Sequence, residues 1–124
     1  MVVDTSALLA LLFNEPHAEW VAEHLNTYAG TLSMSTVNLT ETLIRLRDRQ
    51  PLKSENLEER VLNGGIRFVS PNVEQAQIAA EARLRFPLNL GDCFAYALAR
   101  FEKDSILTID TDFRVVDVPY VSPL

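Results

Sequence analysis

A chain of 124 residues, 48% of them hydrophobic, suffices for one compact domain spanning residues 1–124, and its single cysteine, Cys93, excludes an internal disulfide. Eleven basic against seventeen acidic residues leave a net charge of −6, which argues against a nucleic-acid binder working through a basic surface; a polyanionic substrate must then be met by a local cationic patch, by metal ions, or by both. No apolar run approaches the roughly 20 residues that span a bilayer, and the first 15 residues carry two acids and no base, unlike a signal peptide, so the expected compartment is the cytosol.

Met1-Val2-Val3 reads as a short buried strand closed by Asp4, with Thr5 and Ser6 available to cap a helix over Ala7–Phe13. Asn14-Glu15-Pro16 restarts the chain, Asn14 as cap, and a second helix carries Ala18, Val21, Ala22 and Leu25 on one face. Leu32-Ser33-Met34 is a strand candidate. Ser35 or Thr36 then opens a long helix with Leu39, Leu43 and Leu46 inward, and after Pro51 a further helix runs from Leu52 to Leu62. Asn63-Gly64-Gly65 stops it as a left-handed cap before the strand Ile66–Val69.

Asn72 leads, with Gln75 as its capping-box partner, into a helix through about Leu84 that places Val73, Ala76, Ala80 and Leu84 inward. Asn89 caps the next helix, Leu90–Glu102, which is apolar almost all round and therefore belongs in the interior; Cys93 within it reads as a buried structural thiol. Ser105–Ile109 is a strand, Asp110–Phe113 a turn, and the stretch from Val115 to Val121 leaves room for a last edge strand. Strands alternating with helices predict an α/β fold, a three-layer α/β/α sandwich around a short, mostly parallel sheet of four or five strands. The order of those strands is not legible at this level.

The acids concentrate where such a sheet builds its site, at strand carboxyl ends and helix starts. Asp4 can cap its helix, but Thr5 and Ser6 can do so equally, so its place at a strand end favours function. Glu41 stands three residues after Asn38, as in a capping box, and also borders the buried stripe, from which it can point toward Asp4. Asp92 opens the apolar helix beside Ala95, Tyr96 and Ala99; it suits both a cap with Asn89 and a partly desolvated ligand. Asp110 and Asp112 follow the last central strand, and which of them faces Asp4 is left open by the residues, since either fits an Asx-turn. Glu15 and the remaining acids read as surface charge.

Carboxylates gathered within a few ångströms raise one another's pKa, and a hard divalent cation relieves that conflict. All-oxygen ligands without His or Cys suit Mg²⁺ or Mn²⁺. His17 and His24 lie in a polar stretch and read as solvated surface residues.

Val2-Val3-Asp4-Thr5-Ser6-Ala7-Leu8, Asn38-Leu39-Thr40-Glu41, Leu88-Asn89-Leu90-Gly91-Asp92-Cys93-Phe94-Ala95-Tyr96-Ala97-Leu98-Ala99 and Leu107-Thr108-Ile109-Asp110-Thr111-Asp112-Phe113 together resemble the PIN-domain ribonucleases, more narrowly the VapC-type toxins of toxin–antitoxin pairs. The likeness covers essentially the whole chain. It implies a metal-dependent endoribonuclease whose acids are Asp4, Glu41, Asp92 and Asp110, with Asp112 as a further metal ligand and Ser6 as the small hydroxyl beside the first acid. It also implies a cognate antitoxin and a homodimer. Arg45 and Arg49, on one stripe with Glu41, and Arg83, Arg85 and Arg100, around the Asp92 helix, are the candidate RNA contacts; Arg47, Arg60 and Arg67 read as solvated or ion-paired. The first two helices, with Leu12, Phe13 and Trp20, offer a groove for an antitoxin helix, although Trp20 equally fits the core or a dimer contact, the core being preferred.

Three other readings remain at this level. A receiver-like phospho-switch would need an acidic pair after the first strand and a lysine after a late one, and neither is present. An inactive interaction module would use the acids only as caps, and a DNA nuclease would share the same acids.

Overall fold

The computed structural model describes all 124 residues. Five parallel strands, β1 (Val2–Val3), β2 (Ser33–Ser35), β3 (Arg67–Val69), β4 (Ile106–Leu107) and β5 (Tyr120–Val121), form one sheet in the order β3-β2-β1-β4-β5. Six helices cover it: α1 (Thr5–Leu12), α2 (Ala18–Thr27), α3 (Thr36–Arg49), α4 (Ser54–Leu62), α5 (Val73–Arg85) and α6 (Leu90–Glu102). A 3-10 helix over Thr111–Val115 occupies part of the stretch expected to extend the last strand, which shortens to Tyr120–Val121.

The central strand divides the interior. Side chains alternate across a strand, so Val2 faces Cys93, Leu98, Ile106 and Phe113, while Val3 faces Leu8, Val21, Met34, Val61 and Leu107. Both valines are fully buried, and these two cores are the layer interfaces of the α/β/α sandwich. Cys93 is a free, buried thiol, and Trp20 packs half-buried against the second core.

Several local expectations change. Thr5 and Ser6 lie inside the first turn of α1, and no side chain caps that helix, because both hydroxyls are used elsewhere. Asn14 does not cap α2, which starts only at Ala18; both Asn14 and His17 take left-handed backbone to turn the chain (φ 50° and 74°). Helix α5 is rotated from its expected face. Gln75, Ala79 and Ala82 point inward, whereas Val73 and Leu84 stand 78% and 89% exposed and Ala76 and Ala80 are also exposed. The reason is α6: its buried alanines, Ala95 and Ala99, allow close approach only of the small Ala79 and Ala82, so the bulkier residues turn outward. Asn72 does accept from the Gln75 backbone (2.8 Å), but the Gln75 side chain turns into the interior instead of closing the box.

A shallow apolar groove of about 640 Å³ lies between α1, α2 and α4, lined among others by Leu11, Leu12, Leu25, Leu57 and Val61. Leu12 belongs to it as expected. Phe13 does not, since it lies under the Arg49 guanidinium (4.1 Å), and Trp20 is occupied by the core and by the His24 ring (4.0 Å). No helix is long and apolar enough to cross a membrane.

The buried and exposed faces respond differently to one substitution. Ala82→Leu, in the α5–α6 contact, is expected to cost about 1–3 kcal/mol through overpacking. Ala22→Leu, on a position the periodicity placed inward but the fold exposes, should change stability by less than about 0.5 kcal/mol. Urea unfolding of the two variants checks this.

Candidate metal centre

Parallel pairing of β1 with β4 aligns Val3 with Leu107, so the residues that follow them, Asp4 and Thr108, emerge side by side at the carboxyl edge of the sheet. The Asp4 backbone N–H donates to the Leu107 carbonyl (3.0 Å), which fixes the start of its side chain. Asp4 is only 1% exposed. Its Oδ2 accepts hydrogen bonds from the hydroxyls of Ser6 (2.7 Å) and Thr108 (2.9 Å), while Oδ1 is buried with no partner at all. An unpartnered carboxylate oxygen in the interior is strongly disfavoured unless a cation meets it.

Asp92 arrives from the other side, in the first turn of α6. Asn89 and Asp92 form a reciprocal capping box, the Asp92 N–H donating to Asn89 Oδ1 (2.8 Å) and the Asn89 N–H to Asp92 Oδ2 (3.3 Å). The other Asp92 oxygen makes no hydrogen bond and remains available. Asp110 follows β4: its N–H donates to Thr108 Oγ1 (2.9 Å), and its Oδ1 caps the 3-10 helix by accepting from the Asp112 N–H (2.9 Å). One carboxylate oxygen from each of Asp4, Asp92 and Asp110 lies within 4.8 Å of the others. Three converging carboxylates, the Asp4 one with an orphaned, buried oxygen, fit a divalent cation of the Mg²⁺ or Mn²⁺ kind.

The electrostatics agree with the geometry. Burial raises the Asp4 carboxyl to about 6, partly opposed by the Ser6 and Thr108 hydrogen bonds and reinforced by the Asp110 charge. Asp92 rises to about 7, first through burial and then through the charges of Asp4 and Asp110. Without a cation, burial first and the neighbouring acids second favour the protonated forms of Asp4 and Asp92.

Glu41 stands outside the group of three. Its Oε1 accepts from the Thr5 hydroxyl (2.8 Å) and the Asn38 amide (3.1 Å), and its carboxylate lies against Gly91, where any Cβ would overlap it. Asn38 is buried inside α3, whose cap is Ser35, so Asn38 and Glu41 do not form the capping box their spacing allowed. Asp112 is exposed and excluded from the cluster, because Asp110 takes the cap of the 3-10 helix and leaves Asp112 in its outward-facing first turn. Ser6 sits at the centre, though as a donor to Asp4.

The arginines divide. Arg45 is exposed, in no ion pair, one helical turn beyond Glu41. Arg85 and Arg100 are instead turned to Asp117 (3.4 and 3.5 Å), and Arg100 also donates to the Tyr96 hydroxyl (2.8 Å); Arg100 lies two turns of α6 from Asp92. Arg47 and Arg67 pair with Glu58 and Glu102, as their surface reading implied. Residues that sequence reasoning missed are Thr108, Asn38 and the role of Thr5. Thr108 stands two residues before Asp110, and only the β1–β4 register reveals that it adjoins Asp4.

The sequence matches the PIN domain over residues 1–119. Among curated relatives, a protein named Ribonuclease VapC from Mycolicibacterium smegmatis is 35% identical, covering 98% of this chain and 99% of that one. Ribonuclease VapC30 of Mycobacterium tuberculosis is 34% identical with 98% of each chain covered. Among solved structures, the crystal structure of VapC20 of M. tuberculosis, described as a sarcin-ricin loop cleaving toxin, superposes with a TM-score of 0.83 at 20% identity, covering 98% of each chain. A chain of a toxin–antitoxin complex from Klebsiella pneumoniae gives 0.77 at 18% identity, covering 99% of this chain and 97% of that one. At those identities the two structures speak for the fold.

Because Asp4 and Asp92 hold protons more tightly folded than unfolded, their contribution to the stability of the metal-free protein is complete below about pH 3.8 and is lost as pH rises through about 6 and about 7. A divalent cation reverses this, since it binds the ionised acids. Thermal melts are therefore expected to show a Mn²⁺-induced rise in Tm that is large at pH 8 and nearly absent at pH 5. An equal rise at both values would show that the ion binds elsewhere.

Proposed function

The chain belongs to the PIN domain family, and from that premise we propose that it is an endoribonuclease that uses Mg²⁺ or Mn²⁺ and acts as the toxin of a toxin–antitoxin pair. One observation carries the reading: Asp4, Asp92 and Asp110 converge, and Asp4 carries a buried oxygen with no partner. An inactive module would leave that oxygen and its repulsive neighbours without compensation. The ribonuclease names of the relatives favour RNA over DNA as substrate.

In the proposed mechanism Asp4, Asp92 and Asp110 hold the cation, and Asp112 is left to the solvent side. The bound ion would supply Lewis-acid stabilisation of charge at the scissile phosphate and activation of water. Ser6 and Thr108 orient Asp4 through one oxygen and leave the other without a protein partner. Glu41, beside the group and not within it, would accept a hydrogen bond or a proton from the attacking water. Arg45, exposed and in no ion pair, would meet the RNA backbone nearby and complement the charge that a bound cation would supply at the phosphate. Arg85 and Arg100 reach RNA only by exchanging Asp117 for phosphate, and Ser6 contacts substrate only through Asp4.

The partner in this reading is an antitoxin whose helix lays apolar side chains into the α1–α2–α4 groove. The known complex from K. pneumoniae, with the same fold, supports a partner of that kind. A homodimer belongs to the same proposal, with the exposed apolar residues Val73 and Leu84 on α5 as surface for a second copy to bury. The cytosol is the proposed place of action.

Asp4→Asn and Asp92→Asn are each expected to lower Mn²⁺-dependent cleavage of structured RNA by more than about 100-fold, while the metal-free variants melt no lower than wild type because each loses a strained buried charge. Full cleavage by either variant would remove that residue from the mechanism. Arg45→Glu should weaken RNA binding and reduce the slope of log affinity against log salt by about 1. Filter binding over several salt concentrations reads that slope.

A further inference from the structure

Thr5 is the unexpected residue of this site. A threonine in the first turn of a helix ordinarily bonds to nearby backbone, yet here its hydroxyl crosses from α1 to α3 and donates to Glu41 Oε1 at 2.8 Å. The only other acceptor in reach, the Asn38 carbonyl, is at 3.4 Å and a poor competitor. The Glu41 carboxylate only accepts, which fixes the direction of that donation, and Asn38 supports it. Its Nδ2 lies 3.1 Å from Thr5 Oγ1, 3.1 Å from Glu41 Oε1 and 3.0 Å from the Gly91 carbonyl, three acceptors around a group with two hydrogens. With the amide donating into the Thr5 oxygen, the single Thr5 proton is directed to Glu41.

The arrangement is maintained at a disadvantage elsewhere. Asn38 is fully buried and its Oδ1 has no partner, so the amide is oriented for its nitrogen side alone. Gly91 completes the cradle, since a side chain there would displace the Glu41 carboxylate. A tie made only to hold α1 against α3 needs neither the orphaned amide oxygen nor the missing Cβ on α6.

We infer that Thr5 is a positioning residue for the reaction, one that sets the Glu41 carboxylate over the start of α6 through a hydrogen bond supported by Asn38. This rests on the endoribonuclease reading of the same site. Thr5 touches neither the group of three acids nor the substrate; it acts through Glu41.

The test compares Thr5→Val, which keeps shape and removes the donor, with Thr5→Ser, which keeps the donor. Thr5→Val is expected to lower kcat for RNA cleavage about 10–100-fold, with KM and the Mn²⁺ dissociation constant within about twofold of wild type. Thr5→Ser should recover kcat to within about threefold. In metal-free protein at fixed pH, the Glu41 carboxyl ¹³C resonance should move in Thr5→Val and stay in place in Thr5→Ser. An unchanged kcat in Thr5→Val, or a Thr5→Ser variant as impaired as Thr5→Val, would overturn the inference. If wild type itself cleaves no RNA, the function proposed above fails, and the resonance still decides this one: a Glu41 signal unmoved by Thr5→Val refutes the positioning role.

Discussion

Apolar burial on both faces of β1 is the constraint on which the rest of this structure turns, since it gathers Asp4, Asp92 and Asp110 against their mutual repulsion. Their oxygens share a space 4.8 Å across, in a part of the fold where burial has already raised the first two above ordinary carboxylates. Folding brings them together only because stronger forces act on the elements that carry them. Hydrophobic burial on both faces of β1 holds Asp4 at the sheet edge, and the capping box of α6 holds Asp92 at a helix start. The acids are passengers on a scaffold stabilised by apolar packing, and their convergence leaves a group of oxygens that could hold a cation.

The parallel sheet supplies the precision. Pairing of β1 with β4 places Thr108 against Asp4, so one hydroxyl donates to Asp4 while accepting from the Asp110 backbone. Two of the three acids are thereby tied to a single buried atom. Around this, Thr5, Asn38 and Gly91 hold Glu41 at a short remove, separating it from the three acids that can share a cation. A net charge of −6 is compatible with a polyanionic substrate on such terms, because in the proposed mechanism the positive charge at the reacting phosphate would come from a cation held by the acids.

Much of this could be read from residue order alone, and the parts that could share a property: they depend on near neighbours. Apolar runs punctuated by Gly, Pro and cap residues mark strands and helices, which is why the α/β alternation, the buried α6 helix and the Asn89–Asp92 cap were legible. Membership in the PIN domain family rests on the same local motifs. Asp4 and Asp92 stood out because each sits where a chain of that pattern ends a strand or begins a buried helix.

Tertiary structure decided what depends on pairing across the chain. The strand order β3-β2-β1-β4-β5 and its register put Thr108 beside Asp4 and brought Asp110 to the same edge, since that pairing joins strands a hundred residues apart. The rotation of α5 followed from the close approach of α6, which overrides the apolar periodicity of α5 itself. Arg85 and Arg100 turned to Asp117, and Thr5 to Glu41, because each found an oppositely charged or accepting group brought near only by folding. Sequence specifies which groups are present and what local shape they take; distances between groups far apart in the chain exist only once the two cores have closed around β1.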